Sequence, residues 1–457
     1  MTFPDSIRVR AEHLRSGFLL GHAAFDENEV LVLPASTEIT ESIKQALVER
    51  QILDVYLHPD DASAMFSSPI RSKRTESDLY GAQIGDSAAS SLIESVALVS
   101  QQITSQLEEF SSKIPSVVEN VGPPLRERAV RIGCEPYDQH QQELLVQQFS
   151  TTKKLMDTMI RHAVAGLTQD TRAINTVARR ASAELVRDSD QAYAASSEVS
   201  RNPGFTDRLI RTSVLAMATA IEMGWDEDCV REVGECGLVH SWGLHRLPEE
   251  LHDQKKQLST EELKLVAHHP LHTFDLLSKM QNISASVRIS ASQVHEKLDG
   301  SGYPRRLTSE QIHPYAKIVH VADLYVALTE ETWGHPAYIP YDAMTYLLSQ
   351  VRIKKISSEV VKAMLEVVSL FPIGSHVKLS DGTEARVIRR GQGAYTEPIV
   401  QRLDENRTWR LDASHDTLVD LSKSSIQVSA PLPHPTRREE RLDEVAQAKI
   451  SSLSSIS

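Results

Sequence analysis

Eighteen histidines occur in this 457-residue chain, and ten of them fall between His240 and His335. Several stand beside turn-forming residues: His240 shortly before Gly243, His269 before Pro270, His295 before Asp299-Gly300. Side chains at the ends of different helices can converge on one point. Neutral imidazoles with carboxylates suit Fe, Mn, Zn or Co, and a pair of such ions can activate a water and hold a phosphoryl group for in-line attack. A single histidine on a half-apolar helix is more often structural than a ligand, so chemistry needs a pattern rather than a count. The segment from His295 to Pro304, HEKLDGSGYP, has one. Its Asp299-Gly300 is a turn dipeptide, and Gly302 before Tyr303-Pro304 permits a tight bend. His245, His268 and His272 are further imidazoles close in sequence, and His272 shares a helical face with His268 if Pro270 leaves the helix whole.

These residues need a scaffold, and the hydrophobic periodicity supplies one. Helix-length segments with three- and four-residue apolar spacing follow one another from about 206 to 370, among them DRLIRTSVLAMATAIEMG, DEDCVREVGECGLVH, TEELKLVAHH, SASVRISASQVH and YAKIVHVADLYVALTEE. Before them, residues 1–65 mix short apolar runs with one helix starting near Thr40 or Glu41, a small α/β module. Residues 66–195 read as amphipathic helices connecting the two, broken at VGPPL. Beyond Pro372 the period changes from about 3.6 to 2 through HVKLS, the turn DGT, EARVIRR and PIVQRL, so residues 371–430 form a small, barrel-like antiparallel β unit. Residues 431–457 read as a flexible tail. The expected architecture is mainly α: a helical domain over 196–370 with a small N-terminal α/β module and a small C-terminal antiparallel β unit.

Composition narrows the chemistry. With 49 Lys+Arg against 62 Asp+Glu the chain is acidic, so DNA is not an expected partner. Cys134, Cys229 and Cys236 form no CxxC pair, which argues against a thiolate zinc site and for a reducing, cytoplasmic setting. The stretch from Val214 to Met223 is interrupted by Glu222 and falls short of the ~18 apolar residues of a membrane span.

HEKLDGSGYP resembles the HHExxDGxGYP signature of the HD-GYP phosphodiesterases, a family of the HD superfamily. Upstream, HSWGLHRLP at 240–248 lies over that family's HDxGKxxxP, and TEELKLVAHHP is similar to its His-Pro segment; downstream, AKIVHVADLYVALT is similar to the helix bearing a metal-binding Asp. The resemblance implies an HD-type helical bundle with a two- or three-metal site, a cyclic di-GMP or related dinucleotide substrate, and ligands at His240, His269, His295 and Asp323. Glu296, Asp299, Gly300, Gly302, Tyr303 and Pro304 would form a substrate or partner loop.

Four departures stand against that expectation. Ser241 replaces the bridging Asp, Leu244 the Lys, Val294 the first His of HHE, and Leu209 a further His. A neutral hydroxyl cannot bridge two dications as a carboxylate does, and Val and Leu offer no donor atom. The expectation is therefore a catalytically degenerate member that binds nucleotide or a GGDEF-type or other signalling protein, with a homodimer as a further partner state. Its metal would be Fe or Mn at reduced occupancy, or none. The alternative is an active phosphodiesterase with an atypical, reduced metal site.

Overall fold

The computed structural model describes residues 7–25, 31–33, 37, 39–49, 52, 54–58, 61, 65, 100–112, 114, 118, 120–198, 204–248, 251, 258–331, 335–403, 417–435 and 439–443. The connecting-region helices expected within 66–99 and the tail beyond 443 lie outside these. The chain divides into two units, Met1–Ala89 with Arg161–Leu167, and Ser90–Ile160 with Thr168–Ser457. No helix among the described residues is long and apolar enough to cross a membrane.

In the first unit β1 (Ile7–Arg10), β2 (Ala24–Phe25), β3 (Leu31–Leu33) and β4 (Asp54–Leu57) form an antiparallel sheet in the order β1-β4-β2-β3. The period-2 alternation turns Val9, Val55 and Leu57 inward. Together with Leu47 of α1 (Glu41–Glu49) they enclose a core completed by Leu14, Leu20, Ile39 and Met65.

The second unit is predominantly helical. Its described α-helices are α2 (Gln139–Val164, whose last residues belong to the first unit), α3 (Arg172–Ser196), α4 (Phe205–Glu222), α5 (Glu227–Val239), α6 (Thr260–Val266), α7 (His269–Ser278), α8 (Ala285–Gln293), α9 (Pro314–Leu328), α10 (Pro340–Arg352) and α11 (Ser358–Val368). Their starts follow capping chemistry. Asp226, Ser284 and Ser357 accept the amides of Cys229, Val287 and Val360, while Ser259 and Glu262 make a reciprocal capping box. Helix α4 is buried on nearly every side from Thr206 to Ile221 and packs on α3, α5, α9 and α11. The helix expected at TEELKLVAHH ends earlier than its sequence pattern, with α6 stopping at Val266, and Pro270 lies in the first turn of the next helix, α7, where a missing amide costs nothing.

A separate helical segment at 100–111 lays Ile103 and Leu107 on Leu271, Phe274 and Ile289. The C-terminal sheet is antiparallel in the order β10-β6-β7-β8-β9, where β6 is His376–Leu379, β7 Glu384–Arg389, β8 Ile399–Arg402, β9 Leu418–Asp420 and β10 Val428–Leu432. Its core holds Val377, Leu379, Val387 and Val400. Part of the expected flexible tail is ordered. Glu439–Glu440 forms β11, parallel to β5 (Ala337–Tyr338), and Asp342 accepts both the Arg441 guanidinium at 2.7 Å and the Leu442 amide at 2.8 Å, which fixes the segment.

Candidate functional site

Helix ends deliver the histidines. His240 is the C-cap of α5, and the short 3-10 turn Trp242–Arg246 follows it. Gly243 makes that arrangement fit, since a Cβ there would stand 2.1 Å from the His269 carbonyl oxygen. The turn can therefore press against the start of α7, bringing His240 and Ser241 towards His269. His295 follows the C-cap Val294 of α8, and α9 carries His320 and Asp323. Three imidazoles donate Nδ1–H to helix-end carbonyls: His240 to Gly237 at 2.9 Å, His269 to Val266 at 2.8 Å and His320 to Val294 at 2.6 Å. These bonds occupy carbonyls that helix ends leave unpaired, fix the rings, and reserve Nε2 as the lone-pair atom.

Ligand atoms of His240, His295 and Asp323 lie within 4.8 Å of one another, the one such group of three among the described residues. His240 Nε2 stands 3.4 Å from Asp323 Oδ1. His269 is adjacent but not part of that group; its ring centroid is 4.8 Å from that of His295. Burial pushes His269 down to about 3 and holds His295 well below the usual range, so both rings are neutral at pH 7. The Nε2 atoms of His269, His295 and His320 are buried with no hydrogen-bond partner. His268 is half-buried and donates Nδ1–H to the Lys264 carbonyl at 2.8 Å, His245 sets its ring edge-on to Phe205, and His272 packs near Arg246 and Asp275, so none of the three joins the group.

Asp323 has a partner that the sequence reading missed. The Arg208 guanidinium, from the first turn of α4, binds it through Nη2 to Oδ1 at 3.0 Å, Nη2 to Oδ2 at 3.2 Å and Nε to Oδ1 at 3.2 Å. Side-chain exposures of 12% and 6% make this a buried ion pair. Burial alone would raise the Asp323 carboxyl, but the adjacent Arg208 guanidinium outweighs it and holds the group well below the usual carboxylate range. Arg211, one turn on, is likewise paired with Glu330. The available signal was local: in a helix otherwise buried almost all round, two arginines three residues apart have no solvent face to occupy.

The departures from the family pattern meet in space. A cavity of about 20 Å³, room for one water, is lined by Leu209, Ser241 and Leu244 together with Arg208, His269, His295 and Tyr303. Val294 is fully buried. Thus two imidazoles and one carboxylate suit a single transition ion, whereas for a second ion Leu209, Leu244 and Val294 offer no donor and only the His269 imidazole and the Ser241 hydroxyl remain. Even the single position shares its only carboxylate with a fixed guanidinium, so the residues do not fit a metal while Arg208 holds its place.

The HEKLDGSGYP loop is tied to this pocket from outside. Glu296 accepts the amides of Arg305 at 2.7 Å and Leu307 at 2.9 Å. Asp299 accepts both the amide and the hydroxyl of Ser301, and Gly300 takes a positive φ of 77°. Gly302 has backbone where a Cβ would be, 2.3 Å from the Lys297 amide. The bend lets Tyr303 stack on His295 with centroids 5.0 Å apart and planes 11° from parallel, and Pro304 follows through a cis peptide bond.

Comparison with known proteins agrees with this geometry. A family model described as HD domain matches residues 195–360. The cyclic di-GMP phosphodiesterase PdeB of Borreliella burgdorferi is 25% identical over 197 residues, 43% of this chain and 52% of that protein. The cyclic di-GMP phosphodiesterase PA4108 of Pseudomonas aeruginosa is 25% identical over 270 residues, 55% and 65% of the two chains. The cyclic di-GMP phosphodiesterase response regulator RpfG of Xanthomonas campestris is 28% identical over 236 residues, 51% and 57%. The matches thus span between about half and two thirds of these relatives' lengths. An HD domain over residues 195–360 thus gathers His240, His295 and Asp323, and with the HEKLDGSGYP loop stacked against them the chain is similar to the HD-GYP phosphodiesterases.

Proposed function

We propose that this chain is a catalytically silent HD-GYP protein of bacterial cyclic-dinucleotide signalling, working in the cytoplasm by binding cyclic di-GMP or a signalling protein of GGDEF type rather than by hydrolysis. One observation carries this reading: Leu209, Ser241 and Leu244 border one water-sized cavity beside His269 and His295 and offer it no metal-binding atom except a neutral hydroxyl. In-line hydrolysis of a phosphodiester on a pair of ions requires ligands for both, and the bridging carboxylate above all. The HEKLDGSGYP loop, by contrast, is closed by hydrogen bonds of Asp299 to Ser301 and of Glu296 to Arg305 and Leu307.

The test uses purified full-length protein. Mixed with cyclic di-GMP and excess Mn²⁺ or Fe²⁺, it is expected to return the dinucleotide uncleaved. Retention of cyclic di-GMP by EDTA-treated protein in equilibrium dialysis assigns it nucleotide binding, and failure to retain it assigns it protein contact; linear product overturns the reading. The His240, His295 and Asp323 group favours a second reading, metal-dependent cyclic di-GMP hydrolysis on a reduced site containing Fe or Mn. A linear product that disappears with His295→Ala would establish it.

A further inference from the structure

A carboxylate buried as deeply as Asp323 needs a positive partner, because the interior solvates its charge poorly. A divalent ion between helices satisfies such a carboxylate in a metal-dependent HD site. Here Arg208 reaches both carboxylate oxygens from α4, at 3.0 to 3.2 Å. A guanidinium cannot be deprotonated in a protein, offers only donors, and has the planar fork that matches a carboxylate, so it is a permanent cation. Its position is also fixed by neighbours in α4. Asp207 is held by Lys153 at 2.5 Å and accepts the Gly204 amide at 2.7 Å, and Thr206 donates to Asp157 at 2.5 Å. The first turn of the helix is thus anchored to α2 on one side while Arg208 crosses to α9 on the other.

We propose that Arg208 is the built-in cation of this pocket: it performs the charge-balancing and helix-joining work of a metal, and by sharing the only carboxylate of the donor group it closes the pocket to divalent ions. The proposal rests on the silent reading above and extends it, since it explains what holds the pocket together without metal. It also makes a statement that loss of ligands alone does not make. Removing the guanidinium opens the pocket to a metal, because His240, His295 and Asp323 remain.

The experiment compares full-length wild type, Arg208→Gln, Asp323→Asn and the double variant by thermal unfolding with EDTA or with excess MnCl₂, and by metal content after dialysis. Wild type is expected to unfold at one temperature in EDTA and in MnCl₂ and to hold far less than one equivalent of metal. Each single variant leaves a buried charge unpaired and is expected to unfold several degrees lower; the double variant removes both charges and is expected to recover most of the loss. Arg208→Gln is expected to bind Mn²⁺ about 10- to 100-fold more tightly than wild type and to regain thermal stability with it, whereas the double variant gains nothing from Mn²⁺. If Arg208→Gln does not fold in EDTA, folding restored by MnCl₂ in the growth medium supports the same conclusion. A tightly held equivalent of metal in wild type, or no response of Arg208→Gln to Mn²⁺, overturns the proposal. Hydrolysis by metal-free wild type would sink the silent reading and leave the role of Arg208 intact, while metal bound by an inactive wild type would do the reverse.

Discussion

Glu296 illustrates how a residue of a functional motif can be read from structure rather than from its motif. Both carboxylate oxygens are committed to backbone amides of its own loop, at Arg305 and Leu307, and burial raises the carboxyl above its ordinary range. Its work is to close the loop that carries Tyr303 onto His295. Glu296→Ala leaves two donors without partners and is expected to cost about 1–3 kcal/mol in urea unfolding. Hydrogen exchange at the Arg305 and Leu307 amides should rise well before that of α9; unchanged protection there would contradict this role. The sequence associates His240, His295 and Asp323 through the family resemblance, and turn and cap residues mark the helix ends that carry the two histidines. Arg208 is not legible in the same way, since its partner lies 115 residues later and an arginine on a helix ordinarily points to solvent. What the motif comparison registers as missing donors, the packing registers as a different cation.

Two elements carry features that hydrophobic periodicity does not encode. The helical segment at 100–111 reaches the loop region: Phe110 meets Phe274 edge-on at 5.5 Å, lies 4.5 Å beneath the Arg288 guanidinium, and Ser111 accepts a hydrogen bond from Arg305 at 3.2 Å. Phe110 is half-buried, so Phe110→Ala is expected to cost about 2 kcal/mol, below the loss for a fully enclosed ring, and to release the 100–111 amides to exchange first. A stability within about 0.5 kcal/mol of wild type would contradict the packing. Helix α3 bends at Asp188, where φ is −155° and ψ is 91°. No proline or glycine signals the bend; an ion pair holds it, with Arg389 of β7 binding both Asp188 oxygens at 2.8 and 2.9 Å. Arg389→Ala leaves the partly buried Asp188 carboxylate without this partner and is expected to cost about 3 kcal/mol, whereas wild-type stability in chemical denaturation would show the pair to be dispensable. The pairing of β11 with β5 was equally hidden, because two consecutive glutamates carry no strand preference and their partner lies a hundred residues earlier.

At the scale of the molecule, the histidine content sets the response to acid. His272, His313 and His320 are each pushed down to about 4, mainly by burial. In the unfolded chain histidine titrates near ~6.5, so between that pH and about 4 the unfolded state binds more protons than the folded one. Stability is therefore full above the window and is lost as the pH falls through it; the depressed Asp323 adds a loss of the same sign in stronger acid. The urea midpoint is expected to drop between pH ~7 and ~5, and a midpoint flat over that range would contradict the neutral burial of these rings. The helical architecture of this unit was legible because its caps, prolines and apolar spacing agree, as at Ser284, Ser357 and Pro314. The state of the pocket was not, because it depends on contacts between helices. The most direct measurement is a time course of cyclic di-GMP conversion by the full-length protein with excess Mn²⁺ or Fe²⁺. The expected result is the intact dinucleotide at every time point, and linear product accumulating in proportion to protein concentration would contradict the silent, arginine-balanced site.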